Sequence, residues 1–343
     1  MTSINNYNIF SNLKNPYLIA EIGGNHEGNF ETAKAMTQLA IEAAPNCIKF
    51  QLYSGSKLVN GKLSPNRNKH FEKFELTKTQ HLELVSMCAN ANIDYCASIW
   101  DLEKYEWIDK HIKFYKIGSG DLTCYALLKI MALSGKPIIL STGLSTIKEV
   151  RESLNYIRSI NSIYNSPNTV CLMQCTSMYP IPDSEANLNT LISYQKEKNV
   201  LIGYSDHTIG SKGLETACAM GAQILEFHFT DSRINKNFRD HKVSLTKSEV
   251  IQLKTNIKKI TELKGSGIKR PTKSEIESNH VKTFRRAIYF NKNVIKGTII
   301  TDDLLVFLRP ETGLSAKYAY KIVGKKITRD VDALEPITFK DFE

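Results

Sequence analysis

The chain has 343 residues, 42% hydrophobic and 23% charged, with a formal net charge of +10, a length that suits one large domain plus a small one. No run approaches the roughly 18 apolar residues of a membrane span, so no membrane association is expected. The lysines are dispersed, with no basic stripe interleaved with aromatics and no finger or RNA-binding signature, which argues against nucleic acid and leaves a basic balance suited to phosphorylated or carboxylated metabolites.

The opening, MTSINNYNIFSNLKNPY, has no basic region followed by an apolar stretch and a small-residue cleavage site, so no secretory signal is expected. Short runs rich in Ile, Val, Leu, Tyr or Cys then recur: YLIAEIG (17–23), CIKFQLY (47–53), IDYCASI (93–99), KFYKIGS (113–119), KPIILST (136–142), TVCLMQC (169–175), VLIGYSD (200–206) and AQILEFH (222–228). Between them lie amphipathic segments such as FETAKAMTQLAIEAA (30–44) and TKTQHLELVSMCANA (77–91). Eight strands alternating with helices over about 250 residues predict a parallel sheet closed into a (β/α)8 TIM barrel, with an open doubly wound sheet as the alternative. The seven cysteines are scattered, mostly inside apolar runs (Cys47, Cys96, Cys171, Cys218), without zinc spacing, and read as reduced cysteine of a cytoplasmic protein.

After a last barrel helix at 247–263, KGSGIKRPTKSEIESN lacks apolar periodicity and reads as a linker. Short β-rich pieces follow (AIYF, TIITDDLLVFLRP, GKKITRDVDALEPITFKDFE) and predict a compact second unit. The expected organisation is a barrel over 1–265, a linker over 266–283 and a small β-rich domain over 284–343.

Barrel active sites lie at the carboxyl ends of the strands. In order these offer Glu21; Lys49 and Gln51; Ser98; Lys116, Ser119 and Asp121; Ser141 and Thr142; Thr176, Ser177 and Tyr179; Ser205, Asp206 and His207; and His228. His207 and His228, each closing an apolar run, form a candidate divalent-metal half-site, because neutral imidazole is the commonest nitrogen ligand for such ions; each is also readable as a satisfied core histidine. A lysine inside CIKFQ and another inside FYKIGS are costly to bury without an anion. The anion is either a bound phosphate or carboxylate or a core carboxylate in a structural pair. Glu21 suits acid/base work or a substrate hydroxyl.

AEIGGNHEG, IKFQ, YKIGSGDLT, KPIILSTG, CTSMYP, GYSDHT, LEFHFTD and DHKVSLT together resemble, in order, the sialic acid (nonulosonate) synthase family, and KNVIKGTIITDDLLVFLRP with GKKITRDV is similar to that family's antifreeze-like (SAF) domain. The resemblance implies condensation of phosphoenolpyruvate with an open-chain N-acetylated mannosamine-type sugar, assisted by Mn2+ or Mg2+, giving a nine-carbon sialic-type acid and phosphate. By position it implies His207 and His228 as metal ligands, and Lys49, Ser98, Lys116, Ser119 and Ser205 around phosphoenolpyruvate. Ser177 stands where some members have Asn. Glu21, Gln51, Tyr179 and Asp240 would face the sugar, and Arg309 would reach the neighbouring subunit's barrel in a domain-swapped homodimer. The chain departs from the family pattern at SIWD, at Asp121 and at NFRDH, all expected around the sugar or its entrance, so the chemistry is better specified than the acceptor.

Two other readings compete. One is a Schiff-base aldolase on the same barrel, using Lys116 or Lys49 as the amine. The other is a non-catalytic carbohydrate- or ice-binding protein, suggested by the terminal domain alone; the crowded polar strand ends argue against it.

Overall fold

The computed structural model describes residues 9–343. Eight parallel strands close on themselves: β1 (Tyr17–Glu21), β2 (Cys47–Leu52), β3 (Asp94–Ile99), β4 (Tyr115–Ile117), β5 (Ile138–Ser141), β6 (Val170–Cys175), β7 (Leu201–Asp206) and β8 (Ile224–His228). Pairing of β8 back to β1, with Glu21 opposite His228, shuts the barrel and rules out the open sheet. Each strand falls within one of the apolar runs named above.

Side chains alternate across a strand, and that alternation builds the site. In β2, Ile48, Phe50 and Leu52 pack outward in the main core beneath the helices. Cys47 instead joins a second apolar cluster with Ile19, Cys96, Ile139, Met173 and Ile224. These residues take the inward parity of their strands and plug the lower end of the barrel. Lys49 and Gln51 follow two and four residues further along β2, and Glu226 and His228 do so after Ile224 on β8. On β2 and β8 the inner face therefore runs from apolar plug to buried charge to rim. A one-residue slip would exchange these with the outward set.

Helices cover the outside. Phe30–Ala43 opens on Asn29, whose side chain accepts from Thr32 N, while Lys78–Asn90 and Ile147–Ile160 start in capping boxes at Thr77/Gln80 and Thr146/Glu149. Such caps satisfy amide donors that a first turn leaves unpaired. None of the helices among the described residues is long and apolar enough to cross a membrane.

The chain divides into two compact units after Gly265. In the second, β9 (Ala287–Phe290) pairs antiparallel with β10 (Leu305–Leu308). Ile288, Phe290, Ile300, Ile322, Ile327 and Ile337 make a separate core, and Arg329 bonds both Asp341 at 2.7 Å and Glu335 at 2.8 Å. The stretch 266–283, read from sequence as a linker without periodic structure, carries two short helices, Lys273–Glu277 and His280–Thr283. Thr272 and Glu275 form a capping box that starts the first.

Candidate active site

Twelve of the thirteen residues to which the resemblance assigns a role line one cavity of about 940 Å³ in the barrel unit: Glu21, Lys49, Gln51, Ser98, Lys116, Ser119, Ser177, Tyr179, Ser205, His207, His228 and Asp240. Arg309 belongs to the second unit, where its guanidinium lies 5.3 Å from the centre of the Phe284 ring.

The floor is charged and buried. Lys49 is ion-paired to Glu21 and donates to Ser98 Oγ at 3.2 Å. Lys116 donates to Ser141 Oγ at 2.7 Å and lies 3.2 Å from Glu226 Oε1, which also accepts from Ser205 at 2.9 Å. Glu226 Oε2 is 3.8 Å from Lys49 Nζ, so the carboxylate stands between the two ammoniums. Both lysines thus have a carboxylate within the chain, as the structural alternative required, and burial alone does not demand a bound anion.

Burial raises the Glu21 carboxyl to about 7 even though Lys49 opposes it. Burial also works against ionised Glu226, but Lys116 and Lys49 outweigh it and bring that group to about 2. Lys49 is held above its ordinary value, because Glu21 and Glu226 overcome its burial. The chemistry of the floor follows from one carboxylate shared by two ammoniums and a second that holds a proton near neutrality.

Above the floor, the loop after β7 fixes the first histidine. Asp206 Oδ1 accepts from Thr208 N at 2.8 Å and from the Tyr204 hydroxyl at 3.0 Å, an Asx-type turn. His207 is turned inward, where its Nδ1 donates to the Thr176 carbonyl at 2.6 Å. His228 closes β8 with its ring 5.3 Å from that of His207, and Tyr179 sits against both, at 4.0 and 5.4 Å.

The pair fits a divalent cation. The Thr176 bond puts a proton on His207 Nδ1, so the neutral ring carries its lone pair on Nε2, the arrangement common for ligating histidines, although against its burial Cys175 raises this imidazole above its ordinary value. His228 Nδ1 is buried with no hydrogen-bond partner, and burial followed by His207 holds that imidazole far below its ordinary value, hence neutral. Among the described residues no group of three or more His, Cys, Asp or Glu side chains is gathered into a cage, so two protein nitrogens would leave the remaining positions to water and substrate oxygens.

The upper wall carries the departures from the family pattern. Trp100 stacks on Tyr53 at 5.4 Å, and Phe71 meets Trp100 edge-on at 6.3 Å. Burial lifts Asp121 to about 6 against the pull of Lys116. Arg239 lies 4.5 Å over the Tyr179 ring and 3.1 Å from Asp240 Oδ1, while Asp240 Oδ2 approaches His228 Nδ1 at 3.9 Å. Burial raises the Asp240 carboxyl. Gly143 donates its amide to Ser119 Oγ at 3.1 Å, and a Cβ there would come within 2.7 Å of that oxygen, so only glycine permits the approach.

Sequence reasoning missed Glu226 and Cys175. Cys175 closes β6 with its sulfur 3.8 Å from His207 Nδ1. A glutamate two residues before a rim histidine, inside an otherwise apolar strand, was the available signal for Glu226.

A closed barrel whose strand ends converge on one charged, partly open cavity has the layout of barrel enzymes. The NeuB family profile matches residues 36–269 and the SAF domain profile residues 285–343, and the chain belongs to the NeuB family. It is 32% identical over 331 residues to the N,N'-diacetyllegionaminic acid synthase of Campylobacter jejuni, spanning 93% of this chain and 97% of that one. It is 29% identical over 330 residues to the N-acetylneuraminate-9-phosphate synthase of Homo sapiens, spanning 92% and 89%. The N-acetylneuraminic acid synthetase of Leptospira borgpetersenii, solved in complex with citrate, superimposes with a TM-score of 0.72 at 28% identity, over 79% of this chain and 94% of that one.

Proposed function

We propose that the chain condenses phosphoenolpyruvate with an open-chain N-acetylated mannosamine-type sugar, giving a nine-carbon nonulosonic acid and phosphate. One observation carries the reading: two buried lysines and three serine hydroxyls, Ser98, Ser141 and Ser205, are bonded together on a barrel floor next to a pair of inward histidines.

Lys49 and Lys116, with Ser98, Ser119 and Ser205, would hold the phosphate and carboxylate of phosphoenolpyruvate, since ammonium groups and fixed donors are what an oxyanion needs. Ser177 adds a polar contact. Glu21, Gln51, Tyr179 and Asp240 would face the sugar. His207 and His228 would hold Mn2+ or Mg2+, which when bound supplies Lewis acidity toward the acceptor's carbonyl oxygen. The methylene carbon of phosphoenolpyruvate forms its bond to the aldehyde carbon, water adds at the carbon bearing the phosphate, and phosphate leaves by carbon–oxygen cleavage. The lysines offset the phosphate charge throughout.

Lys49, held as an ammonium by Glu21 and Glu226, is a poor amine nucleophile, which favours this reading over the Schiff-base aldolase. The seven free cysteines suit the reducing cytoplasm, and Arg309 would complete the site of a second copy in a domain-swapped dimer. The test is incubation with phosphoenolpyruvate, Mn2+ and a panel of N-acetylated and diacetamido sugars, following phosphate release. Release that depends on the sugar and stops with a chelator is expected. A pyruvyl adduct trapped on Lys49 or Lys116 by borohydride would replace the synthase with the aldolase.

A further inference from the structure

We propose that Glu226 sets how weakly the anion site holds phosphate, and so how readily the phosphate product departs. The inference rests on the reading above, in which Lys49 and Lys116 receive the phosphate-bearing substrate.

Glu226 is 4% exposed and lines the cavity from the inner face of β8, between the plug residue Ile224 and the rim residue His228. One oxygen is satisfied by Ser205 and Lys116. The other is buried, lies 3.8 Å from Lys49 Nζ and has no hydrogen-bond partner. An incompletely bonded carboxylate is costly to bury, and a floor that had only to grip an anion would do better without it. It stands between the two ammoniums and offsets part of their charge before substrate enters.

An incoming phosphate is drawn by the lysines and repelled by Glu226. The repulsion weakens the grip on substrate and product alike, and binding both tightly would not speed the chemical step. It does speed the exit of the last small anion. Like charges about 5 Å apart at an effective dielectric constant near 20 change an anion's affinity by on the order of a few hundredfold, before screening by the nearby lysines reduces it.

The test measures inorganic phosphate binding by calorimetry, and phosphoenolpyruvate KM and kcat, in Glu226→Gln. The amide keeps the shape and the Ser205 bond but loses the charge. Phosphate is expected to bind about tenfold tighter or more, with KM lowered and kcat also lowered as release becomes limiting. A merely structural role would instead raise KM. Glu226→Met, uncharged and of similar length, gives the same reading if the amide fails to fold, and Glu226→Asp, which keeps the charge, should bind phosphate as weakly as the wild type. Phosphate binding in the uncharged variants that is no tighter than wild type overturns the proposal alone. A wild-type protein that binds neither phosphate nor phosphoenolpyruvate overturns the anion site as well.

Discussion

Replacing Lys116 with Met removes one ammonium from the floor while filling nearly the same space. At 3.2 Å from Glu226 Oε1, the pair has a gross attraction of about 5 kcal/mol at an effective dielectric constant near 20. Desolvation offsets part of this, but breaking a buried pair leaves its partner uncompensated, so a loss of about 3 kcal/mol in barrel stability is expected. The bond to Ser141 at 2.7 Å goes with it. Adding Glu226→Gln removes the stranded charge and leaves the Lys49–Glu21 pair closed on itself, so the double variant should recover about 2 kcal/mol. Urea unfolding, followed by circular dichroism and tryptophan emission, gives the four corners of the cycle. Phosphate release should stay lost in both Lys116 variants. A single variant costing under about 1 kcal/mol, or a double variant no more stable than the single, would refute a charge pair bridging β4 and β8.

His207→Ala and His228→Ala should each weaken Mn2+ binding by about tenfold or more, read by calorimetry without substrate; unchanged binding would move the metal elsewhere. Glu21, raised by burial from 4.5 to about 7, keeps a proton in the folded chain that the unfolded chain has released. Stability should therefore fall as pH rises from about 4.5 to about 7 and level off above. Glu21→Gln should flatten that slope, and an unaltered slope would assign it to another group. Mixing an Arg309→Ala chain with a Lys116→Met chain should restore part of the activity lost by each. No recovery after verified subunit exchange would confine Arg309 to its own chain.

The barrel was legible because the strands are nearly unbroken apolar runs with polar residues at or close to their carboxyl ends, and those polar residues marked the rim. What lies inside a run was harder to read. In ILEFH the final histidine drew the attention, yet the alternation of Ile224, Glu226 and His228 against Leu225 and Phe227 already places the glutamate on the inner face. Which carboxylate meets which lysine was not legible in any local pattern. Glu21 and Glu226 sit on the first and last strands and flank Lys49 only once the barrel shuts. The helix at Lys273–Glu277 had a local signature in Thr272 and Glu275, obscured by the glycines and lysines before it.

The chain has two tryptophans, and only Trp100 lines the cavity, stacked on Tyr53. Trp107 lies away from it, beside His81 and Lys78. An indole in a stacked wall changes emission when a neighbour displaces water from its exposed edge. With Trp107→Phe, the protein would carry a single built-in optical probe at the mouth of the site, able to report the arrival of each reactant separately and before any bond is made.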